Sequence, residues 1–161
     1  VYKRQAYIHP DAVVIGDVHI GEESSVWPSA VLRGDDGAIR IGNRTSIQDG
    51  AVIHTTAHLP TVVGDGCTIG HLAHLEGCRI LDGALVGTAS VVLHDAEVGE
   101  HALVGANAVV TGGTIVPAGA MALGIPAKIR EDAADVDDII EGAQSYVDRA
   151  KRFRAELRRL A

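Results

Sequence analysis

Two imidazoles and a carboxylate, His54, His71 and Glu76, form a set in this 161-residue chain whose types could hold a metal ion. A His₂Glu set that leaves one position open to water suits a catalytic zinc site. The charged residues Arg33 and Asp49 stand at spacings that tie them to these three. His54 follows Arg33 by 21 positions and precedes Glu76 by 22, and Asp49 precedes His71 by 22. Such intervals bring side chains together only if the chain returns on itself about every 20 residues.

A sustained hydrophobic period supplies that return. Ile8, Val14, Ile20, Val26 and Leu32 step by six, as do Ile41, Ile47 and Ile53, then Val63, Ile69 and Leu75. After a slip of one residue the run continues as Ile80, Val86, Val92, Val98, Val104, Val110 and Val116. Neither a helix nor an alternating strand has this period. A coil of three short strands does, with one hexapeptide on each face of a triangular prism. Residues 18 apart then share a column, about 4.8 Å apart along the axis. Leu32 to Ile41 spans nine and Ile53 to Val63 spans ten, so about three residues bulge out near 33–37 and about four within 54–60. With those insertions subtracted, Arg33, His54 and Glu76 form one outward column on three successive coils. Asp49 and His71 share a column on the preceding face. Outward vectors on a prism diverge, so one chain does not close a site from both columns. A neighbouring prism could present its own His71, and cyclic threefold packing makes three equivalent sites. The geometry predicts a homotrimer.

The remaining composition narrows the class. Val, Ile, Leu, Ala and Gly dominate, aromatics are 3% of the chain, and the net charge is −7. That balance argues against a nucleic-acid partner. No apolar run approaches the ~18 residues of a membrane span. No secretory leader is read at the start, and the lone Cys67 and Cys78 fit core thiols of a reducing cytoplasm. The expected organisation is a β-helix over 1–123, a turn or linker over 124–134 and a C-terminal α-helix over 135–161, packed on its own prism or a neighbour's. The helix is marked by the stripe Val136, Ile139, Ile140, Ala143, Tyr146, Val147, Ala150, Phe153, Leu157 and Leu160. His9, His19, His94 and His101 have no supporting frame and read as surface residues. His58, in the second loop, is the candidate proton relay.

The segments Arg33-Gly34-Asp35, Ile47-Gln48-Asp49-Gly50, Val52-Ile53-His54, Ile69-Gly70-His71 and Leu75-Glu76-Gly77-Cys78 resemble those of the γ-class carbonic anhydrases. The likeness runs from about Tyr7 into the C-terminal helix. It implies a mainly β fold, the left-handed parallel β-helix of the hexapeptide-repeat superfamily. It also implies reversible hydration of CO₂ to bicarbonate by a metal-bound hydroxide at subunit interfaces. The metal would be Zn²⁺, with Fe²⁺ or Co²⁺ in its place possible. By position, His54 becomes a metal ligand and His71 a ligand donated across the interface. The third family histidine falls on Glu76, and His74 is the alternative donor nearby, expected to face elsewhere. Gln48 matches a glutamine that orients the hydroxide. Arg33 and Asp35 match a pair that bridges subunits, and Asp49 would serve that network or orient His71. Ser46 stands where many relatives carry asparagine. Two other readings stay open: a hexapeptide acyltransferase using acyl-CoA, and a metal-binding member without anhydrase activity.

Overall fold

The computed structural model describes residues 6–158. The sixth-position aliphatics turn inward: Val26, Leu32, Ile47, Ile53, Ile69, Leu75, Val86, Val92, Val98, Val104, Val110 and Val116 are 0% exposed. Alanines four places later, at Ala30, Ala51, Ala73 and Ala108, are equally buried. Branched side chains on the flats and methyl groups near the corners fill a prism too narrow for aromatics. Every coil lays its strands on those of the next, so the edge of one hexapeptide is covered by the following turn. The result is a parallel β-solenoid of about 6 turns with one C-terminal helix.

An 8-stranded sheet forms one face, and a 10-stranded sheet wraps the other two. The wrap is made by Val31–Ile41, an 11-residue strand that turns a corner without leaving the sheet. It pairs with Val13–Ile20 in a register that jumps from Gly16↔Gly34 to Val18↔Ile39. The three inserted residues are therefore a bulge inside a paired strand and not a free loop over 33–37. The adjacent Val13–Ile20 strand offers partners along its length, so the insertion stays in the sheet. Residues 55–60 do leave it, between Val52–His54 and Thr61–Val63.

The helix spans Val136–Glu156, and its Asp135 cap accepts a hydrogen bond from the Asp138 amide at 3.2 Å. It packs on its own prism, against Tyr7–Ile8, Ser25–Val26 and Ser46–Ile47. Ile139, Ala143, Val147 and Ala150 are buried there, whereas Ile140 and Leu157 of the expected stripe are half exposed. A flat sheet face takes one line of side chains from a helix, which narrows the stripe. Leu160 lies outside the described residues. Trp27 anchors the contact: its ring meets Tyr7, Tyr146 and Phe153 at centroid distances of 5.5, 6.0 and 5.4 Å. Within 124–134 the chain does more than turn. Lys128–Arg130 runs back antiparallel to Met121–Leu123 and covers the C-terminal edge of the 8-stranded sheet. Among the described residues, no helix is long and apolar enough to cross a membrane. Cys67 and Cys78 are free, and burial pushes both thiols up to about 12.

Candidate metal centre

The strand register sets the site. Leu32 pairs with Ile53 and Ile53 with Leu75, so Arg33 stands beside His54 and His54 beside Glu76, on the outward side. The outward column expected from the spacing is present. His54 Nδ1 lies 3.1 Å from Glu76 Oε1, and its Nε2 lies 3.3 Å from Asp35 Oδ1. Asp35 in turn accepts a hydrogen bond from Arg33. Asp36, next in the bulge, brings a second aspartate carboxylate to the same cluster. Single ligand atoms of Asp35, Asp36 and His54 lie within 4.8 Å of one another. This donor set suits a divalent cation.

His71 and Asp49 meet on the neighbouring face, as their shared column requires. Both follow an inward isoleucine by two, and Ile47 pairs with Ile69. His71 Nδ1 lies 3.0 Å from Asp49 Oδ2, with both side chains about half exposed. A carboxylate on one ring nitrogen is how ligating histidines are commonly oriented. Gln48 is buried, and among the described residues no hydrogen bond joins its amide to the His54 column. Ser46 accepts a 2.9 Å hydrogen bond from the Trp27 indole, which ties it to the helix contact.

Three side chains differ from expectation. His74 was expected to face away, yet it flanks inward Leu75 on the same side as Glu76, with its Nε2 3.3 Å from Glu76 Oε2. Strand alternation puts positions 74 and 76 on one face. His94 is no isolated surface residue: its Nε2 comes within 3.6 Å of Glu76 Oε1. It reaches there across Gly77, where a Cβ would come 3.0 Å from the His94 ring. The same count of two past an inward aliphatic that located Asp49 and His71 also applies to His94, which follows Val92. Asp36 carried a weaker signal, its place beside Asp35 in the insertion. His58 is exposed in the second loop.

The charges agree with this wiring. Burial works to raise the Glu76 carboxyl, but hydrogen bonds from His54, His74 and His94 hold it below the usual range. Asp35 is likewise lowered: partial burial opposes ionisation, and the Arg33 hydrogen bond and charge outweigh it.

The bacterial transferase hexapeptide model (six repeats) matches residues 77–112. The chain is 38% identical over 153 residues to a carbonic anhydrase of Geobacillus kaustophilus, covering 93% of this chain and 84% of that one. It is 36% identical over 165 residues to the mitochondrial γ carbonic anhydrase 1 of Arabidopsis thaliana, covering 97% of this chain but only 60% of the plant protein. Among solved structures, a hexapeptide transferase family protein from Anaplasma phagocytophilum superposes with a TM-score of 0.90 at 34% identity, covering 94% of this chain and 91% of that one. Shared fold does not choose between lyase and transferase chemistry. Identity at this level, spread over nearly the whole of a bacterial carbonic anhydrase, does settle kinship. The chain belongs to the γ carbonic anhydrase-like family of left-handed hexapeptide-repeat β-helices.

Proposed function

We propose that the protein is a metal-dependent lyase that interconverts CO₂ and bicarbonate at sites shared between three copies of the chain. One observation carries the reading. Asp49 occupies Nδ1 of His71, leaving Nε2 for a ligand, on a different face from the carboxylate-framed His54. Two half-sites that cannot meet within one prism become whole sites between prisms. His54 and a neighbouring copy's His71 supply two imidazoles, and a carboxylate beside His54 supplies the third protein donor. Zinc fits such a set, as do Fe²⁺ and Co²⁺. When bound, the cation is a Lewis acid that makes a coordinated water acidic enough to yield a nucleophile near neutral pH, less so with an anionic ligand than with three histidines.

The chain's own residues do the positioning. Glu76 and Asp49 hold the two imidazole rings. Arg33 restrains Asp35 through a charge-assisted hydrogen bond, and in the assembly this pair would sit at the subunit boundary. Gln48, adjacent to Asp49, takes the family role of orienting the attacking oxygen. The outward face has the apolar surface an assembly would cover: Val13, Ile15 and Val52 are 43%, 46% and 36% exposed around the column.

Metal analysis and stopped-flow CO₂ hydration test the reading together. The expected result is about one metal per chain in the wild type. In His71→Ala both metal and hydration should fall by more than about 100-fold, because even outer partners of metal sites cost 10–100-fold. Metal-free protein that turns over acetyl-CoA and shows no CO₂ hydration would overturn it in favour of acyl transfer.

A further inference from the structure

We infer that Asp36, and not Glu76, is the carboxylate that ligates the metal beside His54, and that Glu76 positions the His54 ring from its other side. The inference rests on the metal-site reading above and deepens it. The two ring nitrogens of His54 face different carboxylates: Nδ1 meets Glu76 at 3.1 Å and Nε2 meets Asp35 at 3.3 Å. A cation sits on one nitrogen of an imidazole, so it shares a shell with Glu76 or with the aspartates.

Glu76 is already engaged. Its Oε1 faces His54 and His94, and its Oε2 faces His74 at 3.3 Å. Three imidazoles of its own chain surround it, and ligation would require it to leave them. In the tautomer that carries its proton on Nδ1, His54 donates to Glu76 and Nε2 keeps a bare lone pair. That lone pair is turned toward the aspartates of the bulge, with Asp35 Oδ1 at 3.3 Å.

Of the two aspartates, Asp35 is held by Arg33, which compensates its charge. Asp36 is exposed, and among the described residues no hydrogen bond or ion pair engages its carboxylate. It lies within 4.8 Å of the His54 and Asp35 ligand atoms with nothing else to bind. The insertion that bulges the strand therefore delivers the ligand that the position of Glu76 would otherwise be expected to supply.

Cobalt substitution separates a ligand from a residue that holds a ligand, because the visible d–d bands report the donor set. Apo wild type, Asp36→Ala and Glu76→Gln would each be titrated with Co²⁺ to saturation. Glu76→Gln is expected to bind about 10–100-fold more weakly, as outer partners do, yet to show wild-type band positions and intensity when saturated. Asp36→Ala is expected to lose or shift the bands. Circular dichroism confirms that both variants are folded. Bands preserved in Asp36→Ala, or altered in Glu76→Gln, overturn the assignment. A wild type with no cobalt bands overturns the metal reading itself, and bands unchanged in His71→Ala overturn only its intersubunit half.

Discussion

Glu76 shows how one side chain can be decided by its neighbours more than by its position. The resemblance leads one to expect a histidine at its position, yet its surroundings suit a carboxylate: His54, His74 and His94 all turn to it. Those contacts favour the ionised carboxylate, which sets a sign for the pH dependence of the metal-free protein. A carboxyl held below its ordinary value stabilises the fold above the usual carboxylate range, near pH 4.3, and that contribution is lost as pH falls through the lowered value. Glu76→Gln should therefore melt lower than wild type at pH 6–7 in the presence of a chelator, and the gap should close on acidification below about pH 4. A gap that widens toward acid would show that the histidines do not stabilise the charge.

At the scale of elements, the corner after Leu75 decides where those histidines sit. Leu75 to Ile80 is five residues and not six. Gly77 takes a φ of +60° in that corner, with His94 and Leu59 each 3.0 Å from where a Cβ would be. Gly113 has a comparable φ of +72° but open space beside it. Gly113→Ala should cost only the left-handed backbone term, about 1–2 kcal/mol. Gly77→Ala should cost measurably more in urea unfolding and should release His94 from Glu76. Equal costs would mean that His94 yields freely and is not held by the corner. The same corner explains what was legible beforehand. Arg33, His54 and Glu76 were placed by counting because each directly follows an inward aliphatic, Leu32, Ile53 or Leu75, and the interruptions come after them. Asp36 lies where the count is interrupted by a bulge; His94 sits in a regular hexapeptide after Val92, but the Glu76 it meets stands at the shortened turn after Leu75. The pairing of Val31–Ile41 through its insertion depended on a neighbouring strand that local composition does not announce.

In the proposed assembly each site draws His54 and His71 from diverging faces of two copies, so assembly and metal binding should be one property. Val13, Val31 and Val52 stack in register immediately beside the Ile15, Arg33 and His54 column. Val52 points outward and is 36% exposed, whereas its neighbour Ile53 is buried. Val52→Asp places a charge on the apolar strip without removing a core contact or any proposed ligand. If the strip is the subunit interface, a buried unpaired carboxylate there costs several kcal/mol per interface, enough to break the trimer. The prism should survive, since the site of change already faces solvent in the single chain. Light scattering should then report three chains for the wild type and one for the variant, with an unchanged circular dichroism spectrum. Metal should leave with the partner, because His54 would lose the neighbouring copy's His71. A Val52→Asp protein that stays trimeric would move the interface to another face. A monomer that keeps its metal would show that the carboxylates around His54 suffice alone.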